Sequence, residues 1–196
     1  MEIVKNLKEL NKPCKKVSIQ EGNEIASKLL DECMEHDNYI GLAANQIGID
    51  ARVAVVTIPG RTPITLINPE ILKAGDPMVY RESCLSLPGK TYNTKRFATI
   101  TIKTDNMGEQ HYTCKGKKDD EILEIVAIQH EICHLDGMTI KDVRFIPPTA
   151  KREFPKIGRN QWVEITDKDG KKKELKYKKA QPLLKKGWEI TAVEEK

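Results

Sequence analysis

Apolar residues recur at helical spacing through "DDEILEIVAIQHEICHL" (119–135), which predicts a long helix. Asp119 and Asp120 favour its start and Gly137 is placed to stop it. A second amphipathic helix is predicted over 22–36, where Ile25, Leu29, Leu30, Cys33 and Met34 share one face. "ARVAVVTI" (51–58), rich in β-branched residues, predicts a buried strand, and "PITLINPEIL" (63–72) a second one broken by Pro69. "ATITIKTD" and "EQHYTCKG" flank "NMG" as a hairpin. "NYIGLAANQIG" (38–48) fits no template. Residues 145–160 hold three prolines and read as a linker or a draped chain. Beyond them, "QWVEIT" and "KKKELKYKKA" flank "DKDG" as a further hairpin, and "QPLLKKGWEI" closes the chain without an assigned element.

This order of strands, hairpin and helix predicts an α+β fold, with antiparallel sheets around a central helix carrying HEICH. A boundary is expected near 147, dividing the chain into 1–147 and an extension, 148–196.

Composition narrows the function classes. Of 196 residues, 39% are hydrophobic and 32% charged, enough for a packed core under a solvated surface. No run of about 18 apolar residues is present, so no membrane span is expected. The start, "MEIVKNLKEL", has no apolar stretch of the secretory kind. Five scattered cysteines, an odd number, suit free thiols in a reducing compartment, and a cytoplasmic location is expected. The net charge of +4 is unevenly spread. Residues 1–150 carry 19 basic and 21 acidic residues (net −2), and residues 151–196 carry 14 and 8 (net +6). Such an excess is most simply a solvated face. Its alternative reading is a contact with RNA; no DNA partner is expected.

Chemistry concentrates in "IQHEICHLDG" (128–137). On a helix, His130 and His134 lie one turn apart and can present two imidazoles to one ion. Glu131 sits about 100° further round, where it can reach a water at that ion rather than the ion itself. The apolar stripe from Ile122 to Val126 runs into both histidines and turns them inward, where unpaired imidazoles are costly. A third ligand is then needed if one position is to stay open. The pattern HExxHxxGxxH fails, because its last position is Ile140. Glu153 and Glu164 lie in the basic tail without helical context. The third candidate is Cys84, in "RESCLSLPG", a thiolate offered at a strand end.

Three segments together, "GLAANQIG" (41–48), "ESCLSLPG" (82–89) and "QHEICHLDG" (129–137), resemble in order and spacing the three signature motifs of the peptide deformylase family. That resemblance spans about residues 1–147. It implies metal-dependent removal of the formyl group from the formyl-methionine of nascent polypeptides. It implies Cys84, His130 and His134 as metal ligands, Glu131 as the catalytic acid/base, and Gln46 with the Leu85 backbone N–H as oxyanion donors. Gly41, Ile40, Glu82, Arg96 and Val126 are implied around the substrate. Ferrous iron is the implied ion, with zinc, nickel or cobalt as substitutes. Three positions depart from the family pattern: Tyr39 and Ser83 stand where glycines are usual, and Cys133 where the helix usually carries Asp. Tyr39 is expected to reshape the entrance. Ser83 is expected to avoid positive φ, and Cys133 to remove a carboxylate near the ligands.

Overall fold

The computed structural model describes residues 2–36, 38–116, 118–147 and 157–193. They fall into two compact units, 1–145 and 146–196.

In the first unit, a short helix α1 (Leu7–Leu10) precedes α2 (Ile19–Met34). Helix α2 begins three residues earlier than the hydrophobic pattern suggests. Ser18 caps it, its hydroxyl accepting from the Glu21 N–H, and that satisfies an otherwise orphaned amide. The segment without a template forms β1 (Gly41–Ala43) and a 3-10 turn (Ala44–Ile47). Strands β2 (Val53–Val56) and β3 (Ile64–Ile67) join β1 in an antiparallel sheet ordered β1-β2-β3. The run "VAVV" is apolar throughout because β2 is covered on both faces. Val53 and Val55 pack with Ile25, Ala26 and Leu29 of α2, whereas Ala54 and Val56 pack with the 119–135 helix.

A second antiparallel sheet is ordered β4-β5-β6, from β4 (Glu70–Ser83), β5 (Thr91–Thr104) and β6 (Gly108–Thr113). The β5–β6 hairpin is as expected. The length of β4 is not: "AGDP" within it reads as a turn, yet the strand continues through Pro77 opposite Phe97. Because β4 is outermost in its sheet, the missing proline N–H costs little there. Helix α3 (Asp119–Leu135) matches its expected bounds. Ile125, Ile128, Ile132 and Leu135 are buried against both sheets, each contributing about 1.5–3 kcal/mol over exposure. Gly137, at φ 74°, ends the helix, and the Met138 N–H returns to the Cys133 carbonyl.

In the second unit, β7 (Trp162–Thr166), β8 (Lys172–Lys176) and β9 (Glu189–Val193) form a sheet ordered β8-β7-β9. Helix α4 (Tyr177–Leu184) buries Ala180 with Val163 and Ile165. The β7–β8 hairpin is the expected one, but α4 and β9 are not foreseen. Pro182 inside α4 disguises the helix in the sequence. Part of the expected linker, 148–156, lies outside the described residues.

Candidate metal centre

Helix α3 places His130 and His134 with ring centroids 5.0 Å apart. The β4–β5 connection delivers Cys84, whose Sγ lies 3.2 Å from His134 Nε2. One ligand atom from each of Cys84, His130 and His134 falls within 4.8 Å of the others. This is the one such group of three among the described residues. A thiol and two imidazoles converging this closely, two of them buried, fit one small divalent ion.

The two histidines are held differently. His130 Nδ1 meets Glu82 Oε2 at 2.7 Å. Arg96 forks onto the same carboxylate, with Nε 2.7 Å from Oε1 and Nη2 3.0 Å from Oε2. The Thr94 hydroxyl also donates to Glu82. Arg96 Nη1 lies 3.2 Å from Cys133 Sγ, so the departure at 133 sits at the outer end of this chain of contacts. A carboxylate on Nδ1 leaves Nε2 of His130 free to face an ion. His134, by contrast, is fully buried and its Nδ1 has no hydrogen-bond partner.

These contacts set the protonation states. Burial acts to raise the Glu82 carboxyl, but hydrogen bonds from His130 and Arg96 prevail and hold it down at about 2. Burial acts to lower His130, yet its bonds to Cys84 and Glu82 raise it well above the usual imidazole value. Burial, and then the His130 charge, push His134 well below that value. Glu131 is pushed up to about 7, chiefly by burial. Its Oε2 is buried without a partner. Gly41 lies against it: a Cβ at that position would stand 2.8 Å from Glu131 Oε1, so no larger residue fits without displacing the carboxylate.

A cleft of about 470 Å³ opens over these groups. Ile40, Gly41, Gln46, Glu82, Cys84, Leu85, Val126, His130 and Glu131, all singled out in the sequence, line it. Gln46 Oε1 accepts from the Ala43 N–H, which leaves Nε2 to point at Ser86 Oγ (3.4 Å) and Cys84 Sγ (3.9 Å). Arg96 is not in the lining. It lies behind Glu82, 3% exposed. Tyr39 is absent from the lining too, between Asn38 and Ile40, which are part of it, and its ring lies tilted against His36 with centroids 4.5 Å apart. Ser83 continues β4 without positive φ.

Two positioning residues escape a reading of the sequence. Asn45 donates to the His134 carbonyl at 2.6 Å, and nothing but its place beside Gln46 marks it. Thr94 reaches Glu82 through the β4–β5 register, which the unforeseen length of β4 conceals.

Comparison with known proteins points to one family. The family model "Polypeptide deformylase" matches residues 2–146. Peptide deformylase of Acetivibrio thermocellus is 39% identical over 142 residues, covering 70% of this chain and 79% of the relative. That of Dictyoglomus thermophilum is 33% identical over 159 residues, covering 77% and 99%. Among solved structures, a variant of Arabidopsis thaliana peptide deformylase 1B superposes with TM-score 0.63 at 27% identity, covering 74% of this chain and 81% of that one. Peptide deformylase from Thermotoga maritima gives 0.57 at 29%, covering 70% and 91%. With a family model matched over most of its length and a relative almost wholly covered, this chain belongs to the polypeptide deformylase family.

Proposed function

We propose that this chain, with a divalent metal ion bound, hydrolyses the N-formyl amide of formyl-methionine at the start of nascent polypeptides and releases formate. The observation that carries the reading is the convergence of the Cys84, His130 and His134 donors, with the buried Glu131 carboxylate lining the cleft together with Cys84 and His130. A bound ion supplies Lewis acidity, polarising the formyl carbonyl and making water acidic enough to attack at neutral pH.

The chain's own residues do the rest. Glu131 takes the attacking water's proton and passes it to the departing amine, a role suited to a carboxyl raised toward neutrality. Gln46 Nε2 and the Leu85 backbone N–H donate to the developing oxyanion, each worth roughly 3–4 kcal/mol. Ile40, Tyr80, Leu123 and Val126 give the cleft an apolar wall for the unbranched methionine side chain. Strands β1 and β4 are each outermost in their sheets, and both border the cleft. A peptide can therefore lie extended between them and use their free backbone groups.

Thiolate and imidazole ligands accommodate iron, zinc, nickel and cobalt, and Fe2+ is the proposed resident ion. The reading places the enzyme in the cytoplasm. No helix among the described residues is long and apolar enough to cross a membrane. It also includes a contact of the lysine-rich second unit with ribosomal RNA. Salt-dependent co-sedimentation with ribosomes, lost when Lys176, Lys178 and Lys179 become Ala, would support that contact, and salt-independent sedimentation would end it.

The direct test is formate release from formyl-Met-Ala-Ser by protein purified without oxygen. Release by the metal-loaded protein supports the reading. No release at full metal occupancy would overturn it.

A further inference from the structure

Within the cleft, one charged side chain has no task in the chemistry above. Arg81 lines the cleft beside Glu82, on the outermost strand β4. Among the described residues its guanidinium has one long hydrogen bond, 3.5 Å from Nη2 to Thr91 Oγ1, and no ion pair. By strand alternation Arg81 faces opposite to Tyr80 and Glu82. Its neighbours on that exposed face are Val79 and Ser83 along β4, and Thr91, Asn93 and Lys95 across on β5. None of these is a carboxylate, and Lys95 adds a second positive charge. The face is cationic, and among the described residues neither Arg81 nor Lys95 has an ion pair.

The same alternation governs a bound peptide. If methionine turns its side chain inward, toward Val126 and His130, the next residue of an extended chain turns outward. Outward is the side on which Arg81 stands. We infer that Arg81 is a subsite for the residue following formyl-methionine, selecting acidic side chains there and disfavouring basic ones. This rests on the deformylase reading and deepens it by naming a substrate class. Lysine and arginine at that position meet Arg81 and Lys95 as like charges, whereas aspartate and glutamate make a charge-assisted pair.

The experiment compares kcat/KM for formyl-Met-Glu-Ser and formyl-Met-Lys-Ser on the same metal-loaded enzyme. Because the pair is partly solvated, the glutamate peptide should be favoured roughly three- to tenfold at low salt, less at high salt. The ratio should fall toward one in Arg81→Ala and invert in Arg81→Glu. A ratio near one in the wild type, or one that Arg81→Ala leaves in place, overturns the subsite. Failure to release formate from either peptide is a different result: it removes the deformylase reading on which the subsite stands. A ratio is read within each variant, so a general loss of activity or fold does not mimic the expected change.

Discussion

The two units of this chain handle charge in opposite ways. In the first, Glu82, Arg96, Glu131 and His134 are all less than 7% exposed and lie around one point. In the second, no charged side chain among the described residues is buried, and Lys172, paired with Glu164, is 64% exposed. Burying a charge costs several kcal/mol unless it is paired, whereas a solvated charge costs almost nothing. The first unit tolerates that cost where function requires it. The surplus lysines of the second carry no such information by themselves.

Substitutions sharpen this contrast. The largest effect belongs to Glu131→Gln, which removes the proton acceptor and leaves the three metal donors. Turnover should fall about 10²- to 10⁴-fold with metal content unchanged, and sustained formate release would break the assigned role. Arg96→Ala comes next. It removes the guanidinium fork from the buried Glu82 carboxylate, leaving His130 and Thr94 as its partners, and should destabilise by about 3 kcal/mol, read from urea unfolding; a loss under about 1 kcal/mol would put this pair in the same class as a surface one.

Acid probes the same cluster more gently. Glu82 titrates lower when folded, about 2 against an ordinary 4.5. Its contribution is therefore whole above about 4.5 and lost as pH falls toward about 2. Between about pH 6 and pH 3, the wild type should lose more stability than Glu82→Gln, measured by urea midpoints at each pH. Parallel losses would show that Glu82 carries no such linkage. The smallest effect is Lys172→Ala in the second unit, which should change stability by less than about 1 kcal/mol. A larger cost there would erase the contrast.

How much was legible follows from the same physics. Helix α3 and its two histidines could be read because a 3.6-residue apolar period and the HExxH spacing are local signals. The proposed ligating position of Cys84 is non-local: it was one candidate among several in the sequence until three separate motifs agreed. What stayed hidden depended on register. Thr94 and Arg96 meet Glu82 because β4 continues through Gly75, Asp76 and Pro77, residues whose local preference is a turn and whose strand conformation is imposed by pairing with β5. Arg96 was accordingly expected in the pocket and found behind it. Helix α4 was hidden by Pro182, where packing of Ala180 against Val163 and Ile165 overrides a helix breaker.

Everything here turns on Cys84, His130 and His134 holding one ion, with Cys133 left to Arg96. X-ray absorption spectroscopy of the anaerobically purified, metal-loaded protein tests this most directly. For the zinc-loaded protein the predicted result is about one metal per chain with one sulfur at about 2.3 Å and two imidazole nitrogens at about 2.0–2.1 Å. Two sulfurs would bring Cys133 into the site, and none would remove Cys84; either would contradict the account.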